Sequence, residues 1–263
     1  MRTGRLLGAG RTADVYELTD DVAEGCVAEG RAPGVHGTGV HGIGGPGAWA
    51  LRRYRDGWGD ARAEAEVMEH VRAHGYPVPR VRTATRTDLV LERLSGPTML
   101  EAIAAGALPP REAGAELARL LCALHTLPPR RSSDSTARVL HLDLHPENVL
   151  LTPDGPRVID WANAEEGPPG LDWGMSAVIL AQVAADPADP RAPLAHAVLT
   201  GLLSHRPPEP ASGLTDDGLP EGGLTEDGLA EAITRRSRNP TMSAREVRLL
   251  DLAEELIRAV GAR

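Results

Sequence analysis

Between His141 and Asn148 the chain reads H-L-D-L-H-P-E-N, and some ten residues on it reads V-I-D-W, Val158 to Trp161. An acid, Asp143, stands five positions before an amide, Asn148, and a second acid, Asp160, follows the next apolar run. Phosphoryl transfer uses these types at this spacing. Asp143 accepts a hydrogen bond from an attacking hydroxyl and orients it. Asn148 offers a neutral oxygen to Mg²⁺, and Asp160 adds a carboxylate. Mg²⁺ takes few protein oxygens because phosphates and water complete its octahedron. His141 reads as an organiser of the loop rather than as a base.

Elements with clear patterns must position these residues. Arg5–Leu7 and Ala13–Leu18 flank a glycine turn and predict a hairpin, and Ala48–Tyr54 predicts a strand. Asp60–His74 spaces Ala61, Ala65, Met68 and Val71 as a helix does and stops at Gly75. Asp88–Leu94 reads as a strand before the break Ser95-Gly96-Pro97. An apolar-striped helix follows over Pro110–Leu127. Val139–Asp143, Val149–Thr152 and Arg157–Ile159 read as short strands. Helices are predicted over Asp172–Ala185, Pro193–His205 and Ser243–Val260, the last with Ser243 and Glu246 as a capping box. Strands with one helix, then mostly helices, predict an α+β fold in two lobes, 1–94 and 95–263.

Two segments read as disordered insertions. Residues 21–47 are Gly-rich and carry V-A-E-G and G-V-H-G twice each. Residues 207–229 carry G-L-T-D-D-G-L and then G-L-T-E-D-G-L. Neither offers enough apolar surface to offset the entropy of ordering. His36 and His41 lack the partners a metal tract needs.

Composition excludes whole classes. The 263 residues contain no lysine, so all 28 basic side chains are arginine, and phenylalanine is also absent. A Walker-type phosphate loop and a Schiff-base enzyme both need a lysine. The net charge is −9, and residues 207–231 hold seven acids and no base. That balance argues against a nucleic-acid partner. Cys26 and Cys122 make no metal or disulfide framework. The N-terminus lacks a signal-peptide core and no apolar run reaches membrane length, so a cytoplasmic protein without a membrane partner is expected.

With these motifs in order, the chain resembles the protein-kinase-like superfamily, and within it the aminoglycoside phosphotransferase and choline kinase branch. That branch carries H-G-D-L-H-x-x-N and I-D-W or I-D-F, which H-L-D-L-H-P-E-N and I-D-W match closely. The resemblance runs from about Leu6 to Leu180, less the first insertion. It implies Asp143 and His141 in the catalytic loop and Asn148 and Asp160 as metal ligands. Gly8-Ala9-Gly10-Arg11-Thr12-Ala13-Asp14-Val15 then stands for the glycine-rich loop, with Ala13 in place of its third glycine. There Gly8 and Gly10 admit phosphates and Val15 covers the adenine. Trp49-Ala50-Leu51-Arg52 occupies the place of V-A-I-K. Period two sends Ala50 and Arg52 to the nucleotide face and Arg53 to the other. Arg52 therefore replaces the phosphate-holding lysine. Glu64 is its implied ion-pair partner, with Glu66 as the second choice. Backbone groups of Glu92 and Leu94 would read the adenine edge. Asp172 either ties its helix to the catalytic loop or caps it.

The implied activity is transfer of the γ-phosphoryl of ATP or GTP, with Mg²⁺, to a hydroxyl of a small molecule. Aminoglycoside-, choline- and sugar-like acceptors all fit. A cationic acceptor would draw on Glu147, Glu165 and Glu166. The rival reading is a catalytically impaired nucleotide-binding or scaffold protein, suggested by the missing lysine and by Ala13. The short segment Trp161–Asp172, without A-P-E, speaks against a protein kinase.

Overall fold

The computed structural model describes residues 2–10, 12–19, 48–55, 59–207, 223–240 and 242–262. The Gly-rich segment 21–47, with Cys26, His36 and His41, lies outside them, as does most of the acidic segment 207–229.

The fold is α+β and two-lobed. One lobe is a five-stranded antiparallel sheet in the order β1-β2-β3-β5-β4 with one helix on it. β1 (Arg2–Ala9) and β2 (Ala13–Thr19) form the expected hairpin. β3 (Trp49–Tyr54) pairs with β2 and with β5 (Asp88–Glu92), setting Arg52 opposite Val15 and Leu89. The sequence reading omits β4 (Val81–Ala84), a short edge strand with little apolar content. Helix α1 (Ala61–Ala73) starts where Asp60 accepts the N–H groups of Arg62 and Ala63, and Gly75 ends it at φ +84°. Its apolar stripe is buried, and Glu64 is buried with it.

The second lobe is mainly helical. α2 (Met99–Ala104) is a short capped helix that the sequence reading omits. α3 (Pro110–His125) packs against α5 (Ala192–Ser204). α4 (Pro169–Ala184) is buried on nearly all sides, as its continuous apolar sequence requires. Two short strand pairs frame the motifs. β6 (Arg138–Leu140) pairs with β9 (Glu165–Gly167), and β7 (Val149–Thr152) with β8 (Gly155–Val158).

Some boundaries depart from expectation. β6 stops at Leu140, not Asp143, because the next two N–H groups leave the ladder. His141 N and Leu142 N donate to the buried carboxylate of Asp172 at 2.9 and 2.7 Å. Asp172 lies one turn inside α4, so it is a tie to the loop and not a cap. Its Oδ2 also takes Nε2 of His125 at 3.0 Å. The C-terminal stretch is two helices, α7 (Ala244–Arg248) and α8 (Leu250–Gly261), divided at Leu249. The Ser243–Glu246 capping box starts α7, and α8 turns Leu250, Ala253 and Ile257 into the core.

The end of the acidic segment needs a correction. Glu226–Leu229, expected to be disordered, opens helix α6 (Glu226–Ser237), with Thr225 as its cap. Glycine explains why a polar repeat can pack. α6 crosses α4 backbone to backbone. A Cβ on Gly174 would lie 2.6 Å from the Gly228 carbonyl oxygen, and one on Gly228 would collide with the Gly170 carbonyl. No helix among the described residues is long and apolar enough to cross a membrane.

Two stability effects follow. Gly228→Ala separates α6 from α4 and costs about 1–3 kcal/mol in denaturant unfolding. Burial alone would raise the Asp172 carboxyl, but the hydrogen bond and charge of His125 and the donors around His141 outweigh it and hold it low. A depressed carboxyl stabilises the fold above the ordinary aspartate value of about 3.9, and that stability is lost as pH falls through the folded value. Asp172→Asn therefore costs about 1–3 kcal/mol at neutral pH. The gap from wild type narrows below pH of about 4, which melting curves across pH will read.

Candidate active site

Strand β3 carries the central cation. Arg52 is 8% exposed although it is charged. It survives burial because two carboxylates meet it: Nη2 lies 2.6 Å from Asp160 Oδ1 and Nη1 lies 3.3 Å from Glu64 Oε1. Burial works against the charged guanidinium, and the pull of Glu64 and Asp160 more than reverses that, so its pKa is raised. Arg53 points to the opposite face, as period two predicts, and pairs with Asp88 at the surface.

Glu64 is a hub. Its Oε2 accepts the Tyr54 hydroxyl at 2.6 Å, and its Oε1 accepts the Trp161 backbone N–H at 3.1 Å. Burial pushes the carboxyl up, and Arg52 and these donors oppose that. Glu66 instead pairs at the surface with Arg130 and Arg131. Tyr54 is absent from the sequence-based set. It lies two residues beyond Arg52 on the same strand face, and its ring sits 5.1 Å from the guanidinium. Period two was the signal available for it.

The loop after β6 holds the acid. His141 is fully buried. Its Nε2 lies 3.0 Å from the Ile159 carbonyl, and its Nδ1 accepts the Asp143 N–H at 3.2 Å. Those bonds make His141 a brace between the two motif segments, and burial lowers its pKa. Leu142 and Asp160 both have left-handed backbone, φ 60° and 64°. Such residues cost about 1–3 kcal/mol each and persist where neighbours over-determine them. Here Asp172 grips the Leu142 N–H, Asn148 O accepts the Ile159 N–H, and Glu64 grips the Trp161 N–H.

Asn148 donates Nδ2 to the Asp143 carbonyl at 2.8 Å, with Asp143 Oδ2 at 3.3 Å and His145 Nε2 at 3.2 Å. Its amide nitrogen therefore faces the acid, and Oδ1 is the atom left to meet a cation. Burial raises the Asp143 carboxyl to about 6, with the charge of Asp160 adding to the rise and His141, Arg236 and Asn148 opposing it.

Gly10, Val15, Arg52, Asp143, Asn148 and Asp160 line one cavity of about 1120 Å³. Glu64 stands behind Arg52, and His141 lies under the loop. Gly8, Ala50, Glu92 and Leu94 do not line it. Gly8 pairs with Val15 in the hairpin, and Ala50 is buried in β3. The N–H of Glu92 is spent on Arg80 and that of Arg93 on Ala48. Among the described residues no group of three or more His, Cys, Asp or Glu could cage a metal. One carboxylate and one amide oxygen on a shared cavity suit an ion that brings phosphate and water ligands of its own.

No curated protein matches the sequence. Among solved structures the chain is similar to an amicoumacin kinase, hAmiN, in complex with AMP-PNP, Ca²⁺ and Ami. The two share 14% identity and a TM-score of 0.49, over 97% of this chain and 88% of that one. The family model of the phosphotransferase enzyme family, APH, matches residues 31–137 and 127–209. These overlapping stretches take in β3, α1, the Asp143–Asn148 loop and Asp160, and the chain belongs to the phosphotransferase enzyme family.

Proposed function

We propose that this protein transfers the γ-phosphoryl group of ATP to a hydroxyl of a small molecule, with Asp143 as the catalytic acid–base residue. One observation carries the reading. Asp143, Asn148, Asp160 and a buried arginine converge on a single cavity large enough for a nucleotide and an acceptor. GTP is the alternative donor in the same reading.

In this reading the acceptor hydroxyl donates a hydrogen bond to the Asp143 carboxylate. As its oxygen bonds to the γ-phosphorus, the bond to the bridging oxygen breaks and ADP leaves. The hydroxyl proton passes to Asp143 and then to solvent. Asn148 Oδ1 and Asp160 would hold Mg²⁺, which when bound supplies charge neutralisation on the phosphates. Arg52 would hold phosphate oxygens. Its fork binds two oxygens, so a guanidinium can replace the usual ammonium there. Glu64 and Tyr54 position Arg52, and His141 positions Asp143.

Asp143→Asn lowers kcat by roughly 10²–10⁴-fold in an ADP-release assay, while AMP-PNP still raises the melting temperature. Turnover equal to wild type would remove the assignment. Arg52→Ala lowers kcat/KM for ATP by roughly a hundredfold, whereas Arg53→Ala changes it little. Should Arg53 prove the sensitive residue, the strand register assigned to the nucleotide face is wrong.

A further inference from the structure

Away from the glycine turn and β3, the cavity is walled by α4, α5 and residues around α6 and α7. Most carboxylates on that wall are committed. Asp189 accepts two N–H groups of Arg191 at 3.0 and 2.8 Å, and Glu165 accepts Arg235 at 2.7 Å. Asp186 pairs with Arg245. Glu147, half-exposed at the rim, lies 3.8 Å from His145 and 4.0 Å from Arg191. Glu166 turns away and accepts the N–H groups of Arg130, Arg131 and Ser132. Of the three acids that a cationic acceptor would draw on, Glu165 and Glu166 are spent and Glu147 stays at the edge.

Apolar surface is left open instead. From Leu171 to Gln182 every residue of α4 is buried except Ile179. Ile179 and Val183, one turn further, are each partly exposed, and both line the cavity. With Met175 at the buried end they stand at i, i+4 and i+8, on one helical face. At 1.5 Å per residue that stripe is about 12 Å long. Leu194 of α5 and Leu249, where α7 meets α8, are also partly exposed and line the same space. The stripe starts beside the chemistry. Met175 follows Asp172 by one turn, and the Asp172 carboxylate holds the Leu142 N–H next to Asp143. Aliphatic side chains open to water on a helix otherwise sunk in the core favour a ligand that covers them. Binding cavities of this kind pair an apolar wall with a few directed polar groups.

Resting on the phosphotransferase reading above, we propose that the Ile179–Val183 face of α4, with Leu194 and Leu249, receives an apolar part of the acceptor while the acceptor hydroxyl meets Asp143. The acceptor class is then an uncharged amphiphilic alcohol, a hydroxyl-bearing head on an alkyl or fused-ring body, rather than a polycation.

The test uses the full chain with Mg²⁺ and matched acceptors. Glucose, methyl β-glucoside and hexyl β-glucoside form one series, propane-1,2-diol and octane-1,2-diol form another, and glucosamine and kanamycin supply the cations. Calorimetry with AMP-PNP at several temperatures reads Kd and the heat-capacity change, and ADP release reads KM. An alkyl-bearing member should show a Kd or KM at least about tenfold below its short counterpart, with a negative heat-capacity change on binding. Ile179→Ser and Val183→Ser should each shrink that preference by about threefold or more, and together erase it. Leu252→Ser, on the exposed side of α8 and outside the cavity, should keep it. Melting temperatures with AMP-PNP confirm that each variant is folded. Where a serine variant does not fold, Ile179→Val and Val183→Ala trim the same side chains and should lower the preference in the same direction. Tighter binding of kanamycin or glucosamine than of every alkyl member overturns the inference and leaves the phosphotransferase reading intact. Affinity that ignores the alkyl chain does the same, as does a chain preference that survives the variants or nucleotide binding with no panel member bound. Absence of any Mg²⁺-dependent nucleotide binding overturns both.

Discussion

The buried carboxylate of Glu64 is the constraint on which the site depends. It comes from α1 and reaches three other places: Arg52 and Tyr54 on β3, and the Trp161 backbone beyond Asp160. A charged group at 3% exposure is costly unless its partners are close and well directed. Here the partners come from both lobes, so meeting that cost also sets the distance between them. Arg52 extends the link to Asp160, and sheet, helix and metal-side acid are registered against one another by hydrogen bonds rather than by apolar packing alone.

A second buried carboxylate does the same inside the helical lobe. Asp172 takes two consecutive backbone N–H groups from the loop and one ring nitrogen from α3. Leu142 is held in left-handed backbone by that grip, which turns the chain so that Asp143 faces the cavity while His141 braces it from below. Asp160 shows the same pattern, with Glu64 in the role of Asp172. Both unusual backbone sites adjoin or contain a residue proposed to act on substrate or metal. The cost of each is offset by one buried acid.

The absence of lysine shapes how charge is handled throughout. Guanidinium forks can bind two groups at once, and this chain uses them so. Arg52 bridges Glu64 and Asp160, Arg191 holds Asp189 twice, and Arg236 spends two N–H groups on Gln182. An ammonium would act as a point charge in those places and leave orientation less defined. Around the cavity that holds Asp143, the carboxylates of Asp189, Glu165 and Asp186 are each paired with an arginine.

Local chemistry was enough to read much of this from the sequence. Helices α1 and α3 show their apolar spacing. The caps at Asp60 and Ser243 are written in residue types. Asp143, Asn148, Asp160, Arg52 and Glu64 stand at distances that a short loop and a strand of period two translate directly into geometry. Elements whose stability comes from partners were not legible. β4 and β9 are short and weakly apolar, α6 is polar and packs only because Gly170, Gly174 and Gly228 allow backbone contact, and Leu249 breaks a helix whose two halves face different surroundings. Tyr54 gains its place from Glu64, 10 residues on in α1, and Arg236 in α6 is met by Gln182, 54 residues back in α4. The sequence by itself determined which side chains could do the chemistry, because their types and spacing are local properties. Only the tertiary structure decided which charges are spent on one another and which face the cavity, because burial and pairing depend on what the folded chain brings alongside.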